Sequence, residues 1–173
     1  MRPEEIRFLY DYDRWATEKV LAALEDIPDE LWSASGEVGE RGLGSILVHQ
    51  LGAAQRWRNG IQQTGEQPEP EDEPLLSIDE LRSRWTTERE AVDAWLPTMS
   101  QSTLDYVHEG VGVWQMLAHV LNHGTQHRSE AAALLTAAGH SPGEIDIIFY
   151  IDSLAEAAAG QADSASEPGR EDG

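Results

Sequence analysis

Apolar residues return at helical spacing from Val113 to Ala138, and this long pattern constrains the fold more than any other feature of the chain. Projected at about 100° per residue, Val113, Met116, Leu117, Val120, Ala131, Leu134, Leu135 and Ala138 form one stripe. A helix with such a stripe must bury it against partners, and the chain supplies them. A first helix is predicted from Pro3 to Glu25, with Ile6, Leu9, Ala16, Val20 and Leu24 in register and proline suited to its first turn. A second is predicted from Ser45, a good N-cap, to Gln63. Ser77-Ile-Asp-Glu80 reads as a capping box opening a third helix that reaches Trp95, with Pro97 just beyond. Gly139 stops the fourth helix, and Ser141-Pro-Gly leads into a shorter fifth from Glu144 to Ala159. Strand-like alternation is confined to Leu104–Val113. The predicted fold class is all-α.

A short turn is expected around Pro28–Trp32. The run from Thr64 to Pro74 is acidic, proline-rich and long for a hairpin, so it is expected to carry the chain the length of the bundle. Residues 1–159 are read as one domain with a sizeable core, and 160–173 as a disordered acidic tail.

Acidic residues outnumber basic ones 32 to 12, for a formal charge of −20. That field repels nucleic-acid phosphates and anionic membranes, so neither is expected as a partner. There is no cysteine, which excludes disulfides, a protein thiolate nucleophile and Cys-ligated zinc. With no signal-peptide core and no membrane-length apolar run in the sequence, a cytoplasmic location is expected.

Chemistry concentrates in His119-Val-Leu-Asn-His123-Gly-Thr-Gln-His127-Arg128, which holds three of the six histidines. On the fourth-helix wheel His127 lies about 40° from the centre of the stripe, His123 about 80° and His119 about 120°. His127 should point inward, His123 should sit on the flank, and His119 should be nearer solvent. His123 and His127, four apart, can offer two imidazoles to one ion. His49, in Leu47-Val-His49-Gln-Leu on the second helix, is the candidate third ligand. A lone helical histidine is usually an ordinary amphipathic residue. A His-x-x-x-His pair aimed at a core, with a third histidine on another helix, favours metal.

Imidazole suits zinc, nickel, iron or copper, and the residues alone do not choose among them, with zinc or nickel the first expectation. A zinc-peptidase motif would need glutamate where Gly124 stands. Di-iron bundles use Glu-x-x-His pairs, which the chain lacks.

Tyr12-Asp-Arg-Trp15-Ala16, Leu47-Val-His49-Gln-Leu with Trp57, and Asn122-His123-Gly-Thr-Gln-His127-Arg128 together resemble the DinB/YfiT-like family of metalloenzymes, within the DinB superfamily. Gly139-His-Ser-Pro142 and Asp146-Ile-Ile-Phe-Tyr150 look like the closing segment of that family. The resemblance spans roughly residues 5–152. The chain departs from the common family pattern at Ser129-Glu130, where Gly-Gln is usual, and at Gln126, often a histidine. The resemblance implies a four-helix bundle of up-down-down-up topology with a long connection between helices 2 and 3. It also implies a divalent metal on His49, His123 and His127, frequent homodimers, and chemistry with low-molecular-weight thiols, since relatives include transferases that use bacillithiol, mycothiol or glutathione.

A three-imidazole site with an exchangeable position can activate a bound thiol or a bound water. Of the two, the resemblance implies the thiol, so a small-molecule thiol transferase is the expected activity. A metal-dependent hydrolase and a non-enzymatic metal-binding stress-response protein are the alternatives. Asp13 falls within the apolar stripe of the first helix, where it either reaches the edge or serves the site as acceptor for a ligand N–H or as a base. Arg128 is expected either to anchor a cofactor carboxylate or to join an ion pair. Phe8, Tyr12 and Trp15 make a second apolar face, which with six tryptophans in the chain suggests a homodimer. His108 and His140 are expected to take no part in the site.

Overall fold

The computed structural model describes residues 1–36, 41–64 and 75–166, with side chains described to residue 160. It forms two compact units, residues 1–142 and 143–173. In the first, α1 is Pro3–Ala22, α2 Asp29–Ser33, α3 Leu43–Gln62, α4 Ile78–Trp95, α5 Gln101–Leu104 and α6 Val113–Ala137. A 3-10 turn, Leu96–Thr98, follows α4, and the strands β1 (Val107–His108) and β2 (Val111–Gly112) pair as an antiparallel hairpin before α6. The second unit carries α7, Ile147–Ser166. The all-α expectation holds, and the hairpin lies inside the segment where strand alternation was read.

Glu109 and Gly110 turn the hairpin with φ of 49° and 85°, the paired positive values that a two-residue turn matching strand twist demands. Gln115 then accepts the Gly112 N–H at 2.8 Å, satisfying one donor at the start of α6. Ser77 caps α4 by accepting the Glu80 N–H, whereas the Glu80 carboxylate binds Arg84 instead of closing the expected box.

α3 begins two residues before the expected Ser45 cap, with Gly42 as N-cap. A Cβ on Gly42 would sit 1.6 Å from the Ala34 carbonyl oxygen. Backbone contact with the preceding segment therefore decides the start, overriding the local preference for serine. α1 ends at Ala22 rather than Glu25, and Asp26 at φ 57° turns the chain. α7 starts later than Glu144, with Asp146 accepting the Ile148 N–H, and continues past Ala159 to Ser166. Residues 160–166, expected in a disordered tail, extend this alanine-rich helix, because a single glycine at 160 does not stop it. The acidic connection at 65–74 and residues 167–173 lie outside the described residues.

α6 packs against α3 and α1, and α4 packs against α3. Trp57 meets His119 while His49 meets His127, so α3 and α6 run antiparallel. Arg14 binds Asp93 and Arg89 binds Glu18, so α1 and α4 are also antiparallel. Ile6 shares a buried cluster with Val113 and Leu117, whereas Asp13 reaches Arg128, so α1 and α6 run the same way.

Leu81, Trp85, Glu88 and Trp95 line the inner face of α4. Glu88 is only 3 % exposed, and Arg58 holds it with two 2.7 Å hydrogen bonds, the bidentate geometry that suits a carboxylate removed from water. Trp85 and Trp95 are buried, while Trp57 and Trp114 stay exposed.

Candidate metal centre

The helical wheel of α6 orders the histidines as the structure does: His127 is buried, His123 intermediate and His119 exposed. Ala138, placed in the same stripe, is exposed because it follows the last turn. The antiparallel packing of α3 on α6 brings His49 level with the His123–His127 pair. One ring nitrogen from each of the three lies within 4.8 Å of the others, and ring centroids are 4.3 to 5.1 Å apart. His123 Nε2 and His127 Nε2 are 3.1 Å apart. Donors about 2.0–2.1 Å from a tetrahedral ion stand roughly 3.3 Å from one another, a spacing the His123–His127 pair matches, so the three histidines could hold a divalent metal ion.

The His123 imidazole is pushed down to about 4, first by burial and then by the neighbouring His127, His49, His119 and Arg56. Its ring is therefore neutral at physiological pH, the form that ligates metal. On the outer side of the cluster Trp57 packs edge-on to His119 at 4.9 Å, and His119 lies 5.7 Å from His123. His108 is on β1 and His140 follows α6, and neither belongs to the three-nitrogen group.

Asp13 and Arg128, considered separately in the sequence, are partners. Arg128 is 1 % exposed and binds the Asp13 carboxylate through Nη1, with Thr17 Oγ1 at 3.4 Å and Thr125 Oγ1 at 3.2 Å. Of the two expectations for Arg128, the ion pair is therefore the one observed. Burial drives the Asp13 carboxyl above its usual value, and Arg128 offsets only part of that. Gly124 makes room for the pair, since a Cβ there would lie 2.8 Å from Asp13 Oδ1 and 2.9 Å from Arg128 Nη1.

The carboxylate that touches a histidine of the cluster is Glu130, which the sequence pattern alone does not single out. Its Oε2 lies 2.6 Å from His127 Nδ1, and Gln126 Nε2 donates to its Oε1 at 3.0 Å. Burial alone would raise the Glu130 carboxyl, but the hydrogen bonds from Gln126 and His127 outweigh it and hold the group below its usual value. A signal was present: on a helix, position i+3 from His127 shares its face.

The sequence matches the DinB family over residues 3–163. The chain belongs to that family. Protein DinB of Bacillus subtilis (strain 168) is similar, 23 % identical over 160 residues that cover 83 % of this chain and 91 % of the relative. The three-histidine cluster of this DinB-family chain thus stands on the helices that carry the family resemblance. No helix among its described residues is long and apolar enough to cross a membrane.

Proposed function

We propose that this DinB-family protein is a metal-dependent enzyme that transfers a low-molecular-weight thiol to a small electrophilic substrate. The observation that carries the reading is the convergence of three imidazole nitrogens from two helices, with the cluster edged by exposed His119 and Trp57. His49, His123 and His127 would hold a divalent ion, which we take to be zinc or nickel from among the metals that imidazole suits. Such an ion with an open position lowers the pKa of a bound thiol or water. The protein has no cysteine, so a sulfur nucleophile must come from a small molecule.

The order of contacts along α1, α3, α4 and α6 supports an up-down-down-up four-helix bundle as the scaffold, with the 65–74 segment as its long connection. In that scaffold the Asp13–Arg128 pair braces α1 against α6 directly behind the ligand turn, so both residues act in support of the site. We further propose a cytoplasmic homodimer.

Metal analysis of the purified protein, followed by a screen of bacillithiol, mycothiol and glutathione against alkyl and epoxide electrophiles, tests the reading. The expected result is one divalent ion per chain and turnover that requires both metal and thiol. A protein that binds no divalent ion, or one whose metal-dependent turnover consumes water and ignores thiol, overturns it.

A further inference from the structure

We propose that Glu130 is the positioning residue of the metal centre, holding His127 with its proton on Nδ1 so that Nε2 is left to ligate. The inference rests on the three-histidine reading and concerns how the site is made ready. A neutral imidazole carries one proton on either nitrogen, and only the other nitrogen can bind metal. Glu130 Oε2 lies 2.6 Å from His127 Nδ1, a distance that requires a proton between them, and the same ring directs Nε2 to within 3.1 Å of His123 Nε2.

The carboxylate is itself fixed. Gln126, one turn earlier, donates to its other oxygen at 3.0 Å, so both oxygens are engaged and the group cannot rotate without losing a hydrogen bond. Gln126, His127 and Glu130 therefore form a relay confined to one turn and a half of α6. That turn is anchored from behind by the buried Arg128.

Placement separates this contact from the exposed ion pairs elsewhere in the chain. Arg14–Asp93 and Arg84–Glu80 join side chains a third to a half exposed, whereas His127 is 6 % and Glu130 24 % exposed. A carboxylate on the far nitrogen of a ligand imidazole also makes the ligating nitrogen more basic, and losing such a partner typically weakens metal binding 10–100-fold. Glutamine at this position would keep an acceptor and lose the charge.

Two measurements on the full chain test the proposal with Glu130→Gln and Glu130→Ala, each checked for native helicity. In metal-stripped wild type, long-range proton–nitrogen NMR of the His127 ring should show a protonated Nδ1 and an unprotonated Nε2, with the preference relaxed in Glu130→Ala. Competition for zinc against a chromophoric chelator should show Glu130→Ala about 10–100-fold weaker than wild type, with Glu130→Gln between them. An unchanged tautomer in Glu130→Ala, or zinc affinities within twofold across the three proteins, overturns the inference. Wild type that takes up no zinc refutes the metal reading itself, and the tautomer measurement still decides what Glu130 does.

Discussion

Replacing Arg128 by methionine removes the guanidinium but keeps much of the stem, leaving Asp13 in the α1–α6 interface without its cation. Truncating one partner of a buried ion pair costs about 3–5 kcal/mol. A second route gives a similar ceiling. An unpaired carboxyl escapes by taking up a proton, and protonating a group of model value 3.8 at pH 7 costs about 4.4 kcal/mol, at 1.36 kcal/mol per pH unit. Asp13 keeps 20 % of its side chain exposed, which favours the lower half, about 3 kcal/mol. For a chain of this size that is a fall in Tm of roughly 6–12 °C.

The pH dependence gives the cause its signature. A carboxyl raised above its unfolded value binds more protons in the folded state, so its destabilising effect grows as pH rises from about 4 to 7. Arg128→Met should therefore lose most at pH 7 and approach wild type near pH 4. Urea denaturation followed by circular dichroism at pH 7, 6, 5 and 4 measures both quantities. A loss below 1 kcal/mol at pH 7, or one that does not shrink with acid, would refute the assignment of Asp13 as the partner that matters.

His127→Ala should abolish stoichiometric metal while His119→Ala and His140→Ala retain it, read by elemental analysis; full occupancy in the first variant excludes the site. Gly124→Ala should destabilise by about 1–2 kcal/mol in thermal melts, because the inserted methyl meets the Asp13–Arg128 pair and overpacking outweighs the helix-propensity gain of about 1 kcal/mol. In metal-free protein the His123 ring should titrate near 4 by NMR. Its unfolded counterpart protonates near 6.5, so this residue's contribution to stability is complete above 6.5 and declines as pH falls toward 4; a midpoint of 6 or higher would contradict the burial. Light scattering should give twice the 19.1 kDa chain mass at micromolar concentration, and a monomer mass would end the homodimer proposal.

Periodicity made the helices legible because each buries one stripe, and it ranked the three α6 histidines correctly because depth follows from angle. It failed at α3, where contact between the Gly42 backbone and Ala34 lies outside any local window. It is silent on Glu88, whose bidentate partner Arg58 stands on a different helix. Polar residues inside a stripe announce that they need partners without naming them. Glu130 was hidden for a different reason: it is the one carboxylate of α6, and its contact with His127 depends on the rotamer that the ring adopts, which spacing alone does not give.

The Asp13–Arg128 pair shows what extra step would have named a partner. Ile6 packs level with Val113 and Leu117, and α1 and α6 run the same way. Equal rise per residue then sets Asp13, seven positions on, beside residues 120–124 of α6. Helical side chains lean toward the N-terminus, so Arg128 reaches back one turn and its guanidinium arrives at that level. Gly124 is the residue of that turn without a side chain, and the cation passes across it to the carboxylate. The charge in one stripe, the charge in the other and the glycine between them are a single feature. Its three parts become readable together once the relative direction of the two helices is known.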